Sequence, residues 1–192
     1  VRAALQGLVS RDAALINKVL SGDEPINQLH IEVDNRCFRL LALHQPMATD
    51  LRAVVAAVKI NTDLERVGDL AVNIAEASNR YIGHAPVKQL IDIPLMGDIA
   101  QAMLRDALDS FVKRDTDLAH RVLNEDDRLD SLKTQVFRDL LTHMLRDQAT
   151  VERHIVPVRD AITAIESDSQ GFTVHSISQT LTSQDITELI NS

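Results

Sequence analysis

The chain has 192 residues, 45% of them apolar and 3% aromatic, with 28 acidic against 20 basic residues for a net charge of −8. That length supports one or two domains with cores of their own, and few aromatics with only 6 glycines and 5 prolines favour long helices over sheet. The charge argues against a general nucleic-acid or anionic-membrane surface, and the single cysteine, Cys37, excludes a disulfide framework or a thiolate metal site.

No signal peptide and no apolar run of membrane-spanning length occurs, so the expected compartment is the cytoplasm. Leu5, Leu8, Val9, Ile16, Val19 and Leu20 recur at helical spacing and predict a helix over 1–21. Gly22-Asp23 breaks it, with Asp23 as N-cap and Pro25 just inside a second helix over 23–44. Cys37 is expected to be a small buried hydrophobe there. Gln45-Pro46 ends that helix, and Thr49 or Asp50 is placed to cap a third over 49–79. Gly83-His-Ala-Pro86, helped by Pro94, reads as a linker over 83–95. A second set of helices is expected over 96–123, 126–146 and 149–167. Residues 168–192 contain no Lys or Arg, are rich in Ser and Thr, and read as a loosely ordered tail.

The two sets are copies. At an offset of 103, Arg2, Ala4, Leu5, Val9, Arg11, Asp12, Leu15, Val19, Leu20, Asp23 and Leu29 meet identical residues, from Arg105 to Leu132. The offset then slips to 101, pairing Ala48-Thr49 with Ala149-Thr150, Val55 with Val156 and Glu65 with Glu166. A two-residue slip in an interhelical loop costs little. The repeat therefore predicts an all-α chain of two three-helix units, 1–82 and 96–167, with neighbouring helices antiparallel.

On the third helix Ala53, Ala57, Ile60, Leu64, Val67, Ala71 and Ile74 form an apolar stripe at about 100° per residue. Thr62, Glu65, Asp69, Asn73 and Glu76 fall nearly opposite, with no lysine among them. Carboxylates four apart repel unless something positive lies between them, so the row suits either a metal ion or a solvated polar face. The second helix carries Asp23, Asn27, His30 and Asp34 on one stripe and Ile26, Leu29, Val33 and Leu40 on another. Antiparallel packing would set Asp23 and Asn27 near the Glu65–Asp69 end of the third helix. Oxygen donors with an occasional imidazole suit iron, zinc, magnesium or manganese. In the second unit Asp126, Asp130 and Glu166 repeat Asp23, Asn27 and Glu65, while Gln170 stands where Asp69 has its counterpart. Asp50 reads as a helix cap and Arg66 as half of an intrahelical pair. His84, His120, His143, His154 and His175 are scattered and read as structural or solvated. There is no Gly-rich phosphate loop, dinucleotide fingerprint, Gly-x-Ser-x-Gly elbow or Glu-x-x-His ligand pair.

His44-Gln-Pro-Met-Ala-Thr-Asp-Leu-Arg52, followed by Lys59-Ile-Asn-Thr-Asp-Leu-Glu-Arg-Val-Gly-Asp-Leu-Ala-Val-Asn-Ile-Ala-Glu76, resembles the signature of the PhoU family of bacterial phosphate-transport regulators. The resemblance spans about residues 1–166. It implies two tandem three-helix bundles, a homodimer, and a cytoplasmic negative regulator rather than an enzyme. It implies partners too: the ATPase subunit of a phosphate ABC transporter and a phosphate-sensing histidine kinase, with the membrane reached only through them and no nucleic acid. It also implies metal clusters, iron or zinc first, on acid-x-x-x-Asp motifs. The matching positions are Glu65 with Asp69, Asp126 with Asp130, and Asp23 with Asn27. Two departures stand out. The family's first helix starts earlier, which sets Val1 inside it. The second copy breaks off into Glu166-Ser-Asp-Ser-Gln170, as a frameshift or decayed gene end would produce. The competing expectations are a carboxylate-bridged metalloenzyme and an inert helical scaffold.

Overall fold

The structure, a computed structural model, describes residues 1–83, 90–146, 158–160 and 162–164. Glu166, most of the helix expected over 149–167, and the tail from 168 lie outside the described residues. The chain is all-α: α1 Arg2–Ser10, α2 Ala13–Leu20, α3 Glu24–His44, α4 Ala48–Ile82, α5 Asp92–Lys113 and α6 Thr116–Arg146. Residues 158–160 and 162–164 are helical too.

The helix expected over 1–21 is two helices. Arg11 takes a left-handed conformation, φ 56°, and Asp12 then caps α2 by accepting from the backbone N–H groups of Ala14 and Leu15. The same break recurs one repeat later. Arg114 has φ 55°, and the Asp115 carboxylate accepts from the N–H of Leu118 at 2.8 Å. The Asp12 amide donates to Gly7 O at 3.0 Å and the Asp115 amide to Ser110 O at 2.9 Å, again 103 residues apart. Arg-Asp, conspicuous in the repeat only as identical letters, is a kink.

The break expected near 124–125 is absent. Where the first unit has Ser21-Gly22-Asp23 and Pro25, the second has Asn124-Glu125-Asp126 and Arg128, none of which stops a helix. The counterparts of α2 and α3 are therefore fused into the 31-residue α6. The second unit also starts earlier than position 96, because α5 begins at Asp92 with Pro94 tolerated in its first turn.

α4 is the hub of the first unit. It packs against α1, α2 and α3, while α1 also reaches α5, and α5 pairs with α6. Its stripe is buried at Ile60, Ala71 and Ile74, as its spacing predicts, and is joined there by Ala75, Ala77 and Tyr81. One apolar cluster runs through both units, from Leu5 and Leu8 through Ile74 to Met96, Met103, Val122, Leu129 and Ile162. The units meet closely at Gly97, where a Cβ would stand 2.1 Å from Leu5 Cδ1, and Arg2 adds a hydrogen bond to Gln101 at 3.1 Å. At the far end of α4, Arg11 donates to Ile82 O at 2.7 Å and lies over the Tyr81 ring, 5.4 Å from its centroid. The kink thus supplies the donor that caps the last turn of α4.

Asp12→Ala removes two backbone acceptances at the start of α2. It should lower unfolding free energy by about 1 kcal/mol in urea titration, with Asp12→Asn recovering most of the loss.

Candidate functional site

α3 turns its polar stripe inward. Asp23, Asn27, His30 and Asp34 are half-buried and Cys37 is 6% exposed, all on the side that meets α4. The expected apolar stripe is split: Leu29 is 60% exposed and Leu40 45%, while Val33 is half-buried and Ile26 lies against Gly68 of α4. The cause lies on α4. Asn61, 7% exposed, donates through Nδ2 to His30 O at 2.8 Å and to Asp34 Oδ1 at 2.9 Å. His30 Nδ1 is 3.3 Å from Asn61 O, the distance of an N–H donating to that carbonyl, and its Nε2 lies 3.7 Å from Asp34 Oδ2. Two turns along α4, Gly68 lets α3 approach. A Cβ there would stand 3.2 Å from Ile26 Cδ1 and 3.6 Å from Asp23 Oδ1.

Asp23 does not cap α3. Its backbone is already helical, φ −77° and ψ −33°, and its side chain makes no cap hydrogen bond. The carboxylate turns toward α4, accepting from Asn27 Nδ2 at 3.1 Å through Oδ2, while Oδ1 is buried without a hydrogen-bond partner among the described residues. Thr49 and Asp50 do not cap α4 either. The cap position is Met47, α4 begins at Ala48 with φ 48°, and Asp50 sits in the first turn, where its charge still favours the helix dipole.

The acidic row lies along α4 as its spacing predicts. Thr62, Asp69, Asn73 and Glu76 are exposed, and Glu65 is half-buried. Asp23 is brought beside Gly68, in the turn between Glu65 and Asp69. Asp126 and Asp130 are half-buried one turn apart on α6, where Lys133 donates to Asp130 at 3.2 Å. Glu166 lies outside the described residues. The donors are right in kind for a hard cation, and the buried Asp23 Oδ1 is open to one. Their convergence falls short, because no three His, Cys, Asp or Glu come close enough to hold a metal ion among the described residues.

Further along the row, Asn73 and Glu76 line a cleft of about 510 Å³ with Arg80, Arg159, Asp160 and Thr163. Asp160 accepts from Arg80 at 3.2 Å and from Arg159 at 3.0 Å, tying α4 to the described helical residues of the second unit. Burial pushes the Asp63 carboxyl above its ordinary value, and the Arg66 guanidinium one turn on opposes the shift. Burial, helped by the Asp34 charge, also raises the Cys37 thiol, which makes it a poor nucleophile. Asn61 and Gly68 are the α3–α4 contact positions that the motif reading passes over. Both interrupt the apolar arc of α4 seven residues apart, on the same side of the helix, and that interruption is the signal that marks them.

A family profile described as PhoU domain matches residues 1–78 and 93–167. A phosphate-specific transport system accessory protein PhoU homolog from Aquifex aeolicus (strain VF5) is 38% identical over 150 residues, 78% of this chain and 68% of the relative. A protein of the same description from Caulobacter vibrioides (strain NA1000 / CB15N) is 38% identical over 152 residues, 79% of this chain and 66% of the relative. The chain thus spans about two thirds of the length of these relatives. The crystal structure of PhoU from Pseudomonas aeruginosa superposes with a TM-score of 0.85 at 28% identity, covering 99% of this chain and 88% of that one.

Two outcomes are expected. Asn61→Ala removes the buried donor that His30 O and the Asp34 carboxylate share at the α3–α4 contact and should cost about 1–3 kcal/mol in urea unfolding. Asp63→Asn should raise stability at neutral pH, because the folded-state pKa of Asp63 lies above its unfolded value, so its charge opposes folding there. The gain should shrink as pH falls through the folded pKa and vanish below the ordinary 3.8, where Asp63 is protonated in both states. A gain that grows on acidification would refute the assignment.

Proposed function

The chain belongs to the PhoU family, and from that premise we propose that it is an accessory regulator of phosphate uptake rather than an enzyme. The observation that carries this is the match of the family profile to both repeat units, on a fold that superposes along nearly the whole chain. In this reading it represses phosphate-starvation genes when phosphate is plentiful. It acts between the ATPase subunit of a phosphate ABC transporter and a phosphate-sensing histidine kinase, as a homodimer on the cytoplasmic side of the membrane. The absence, among the described residues, of any helix long and apolar enough to cross a membrane is compatible with that placing. So is the lack of a phosphate-cradling Gly-rich loop, since an adaptor needs surfaces rather than a substrate pocket.

The physical basis is a rigid presentation of charge. α4 is one unbroken helix of 35 residues, held at one end by Arg11 and beside its middle by Asn61. Its acidic row is fixed in spacing and aims at solvent, as a surface read by a partner must be. Deleting the gene should leave a phosphate-starvation reporter switched on in phosphate-rich medium, with the wild-type chain restoring repression. Repression that survives deletion would sink the regulator reading.

We also propose that Glu65 and Asp69, with Asp23 and Asn27 facing them, bind a metal ion, with Asp126, Asp130 and Glu166 as their repeat counterparts. Iron or zinc comes first, magnesium or manganese second. Support comes from the oxygen donors at i,i+4 and the open Asp23 Oδ1. The regulatory role as stated needs no chemistry from the metal. Purified protein should contain metal that a folded Glu65→Ala, Asp69→Ala variant lacks, as read by elemental analysis. Equal metal in both would remove these residues from the ligand set.

A further inference from the structure

We propose that the cleft between α4 and the second unit binds inorganic phosphate in a form that still carries a proton. The inference rests on the regulator reading and names the small molecule through which phosphate supply reaches this chain.

The polar lining of the cleft is Asn73, Glu76 and Arg80 from α4 with Arg159, Asp160 and Thr163 from the second unit. Two guanidiniums meet one carboxylate there. Arg80 Nη2 lies 3.2 Å from Asp160 Oδ2, and Arg159 Nη2 lies 3.0 Å from Asp160 Oδ1. Each arginine spends one nitrogen on Asp160 and makes no other hydrogen bond among the described residues. The rest of each five-donor fork is open to an oxyanion, which guanidiniums hold well. Both arginines are more than half exposed, so their pairs with Asp160 are weak enough for an anion from solution to share or replace. Asn73 and Thr163 add an amide donor and a hydroxyl beside them.

The charges of Arg80, Arg159, Glu76 and Asp160 sum to zero, so the cleft is not a general anion trap. Selection comes from Glu76. Its carboxylate makes no ion pair or hydrogen bond among the described residues. An ionised carboxylate only accepts, so it repels a fully deprotonated oxyanion and attracts one that offers an O–H. Near neutral pH inorganic phosphate keeps at least one O–H and sulfate has none, while a phosphomonoester, with a second pKa of about 6, has lost most of its own. Guanidinium forks for the P–O groups and a carboxylate for the P–OH group match the first of these three. A metal ion fits less well, because Asp160, one of two acids in the lining, is already held by both arginines. The donors come from both units, so a phosphate seated here adds a tie across their junction.

The test is equilibrium dialysis of the full chain against radiolabelled inorganic phosphate. Unlabelled phosphate, sulfate and glycerol phosphate serve as competitors at matched ionic strength. Binding should saturate, and sulfate and glycerol phosphate should compete at least ten-fold less well than phosphate. Arg159→Ala should weaken phosphate ten-fold or more with circular dichroism unchanged. Glu76→Gln supplies an amide that donates as well as accepts, and should erase the preference for phosphate over sulfate. Binding should persist in the Glu65→Ala, Asp69→Ala variant, which lacks the proposed metal ligands. No saturable binding, sulfate or glycerol phosphate competing as well as phosphate, or an unchanged Arg159→Ala or Glu76→Gln variant would overturn the proposal. So would loss of binding in the Glu65→Ala, Asp69→Ala variant, which would assign the phosphate to a metal. The reporter experiment is independent. Repression that survives deletion refutes the regulator reading whatever the dialysis shows, and absent phosphate binding beside a derepressed deletion strain refutes the cleft alone.

Discussion

The side-chain amide of Asn61 decides how α3 sits. It is a buried polar group on the helix that forms the hub of the first unit, and leaving its donors unmade would cost more than the bonds themselves contribute. It satisfies both by holding His30 O and the Asp34 carboxylate, so α3 must bring its polar stripe to α4. Gly68 removes the side chain that would otherwise hold the helices apart two turns further on. The character of the outer surface is a consequence of that contact. Leu29 and Leu40 of the α3 aliphatic stripe are turned to solvent, and the carboxylate of Asp23 is carried to the edge of the acidic row.

The repeat gives the second constraint. Arg-Asp at 11–12 and at 114–115 makes the same left-handed residue and then the same capping carboxylate, so the kink belongs to the repeated unit. Beyond the kink the two units diverge. Ser21-Gly22-Asp23 lets the first unit open a separate α3, with its own orientation on α4. Without that interruption the second unit runs straight through as α6. Two copies of one sequence pattern thus yield two helices in the first unit and one continuous helix in the second, from a difference of a few residues with low helix tolerance.

Much of this architecture is legible in the sequence, and the failures have a common cause. Composition and apolar spacing are properties of single helices, and they place the all-α class, the α4 core stripe at Ile60, Ala71 and Ile74, and the exposed carboxylate row correctly. The kinks escape such a reading because Arg is an ordinary helix former and its left-handed conformation is imposed by the chain's packing. Periodicity assigns the α3 aliphatic stripe to the core because such a stripe usually faces inward. That rule assumes the neighbouring helix offers an apolar surface. Here it offers an amide, and a tertiary polar contact reverses what periodicity alone implies. Asp23 and Asp50 show the same limit at smaller scale. Both are residue types that cap helices, yet Asp23 stands at the cap position of α3 without a side-chain cap hydrogen bond, and Asp50 lies three residues past the cap position of α4.

α4 carries side chains of opposite charge along its length, and its dimensions say how they are spaced. A 35-residue helix is about 52 Å long at 1.5 Å per residue, with the bases Arg52 and Lys59 in its first third and the acidic row through its middle. The row begins with Thr62, three residues after Lys59. Opposite charges so placed on one rigid helix cannot neutralise each other by bending together. The end of α4 is fixed by Arg11 and by the Arg80–Asp160 pair, both reaching it from elements other than α3. α3 meets α4 at Asn61 and Gly68 instead, so the contacts that seat α3 and those that join the two units lie at different points along one helix.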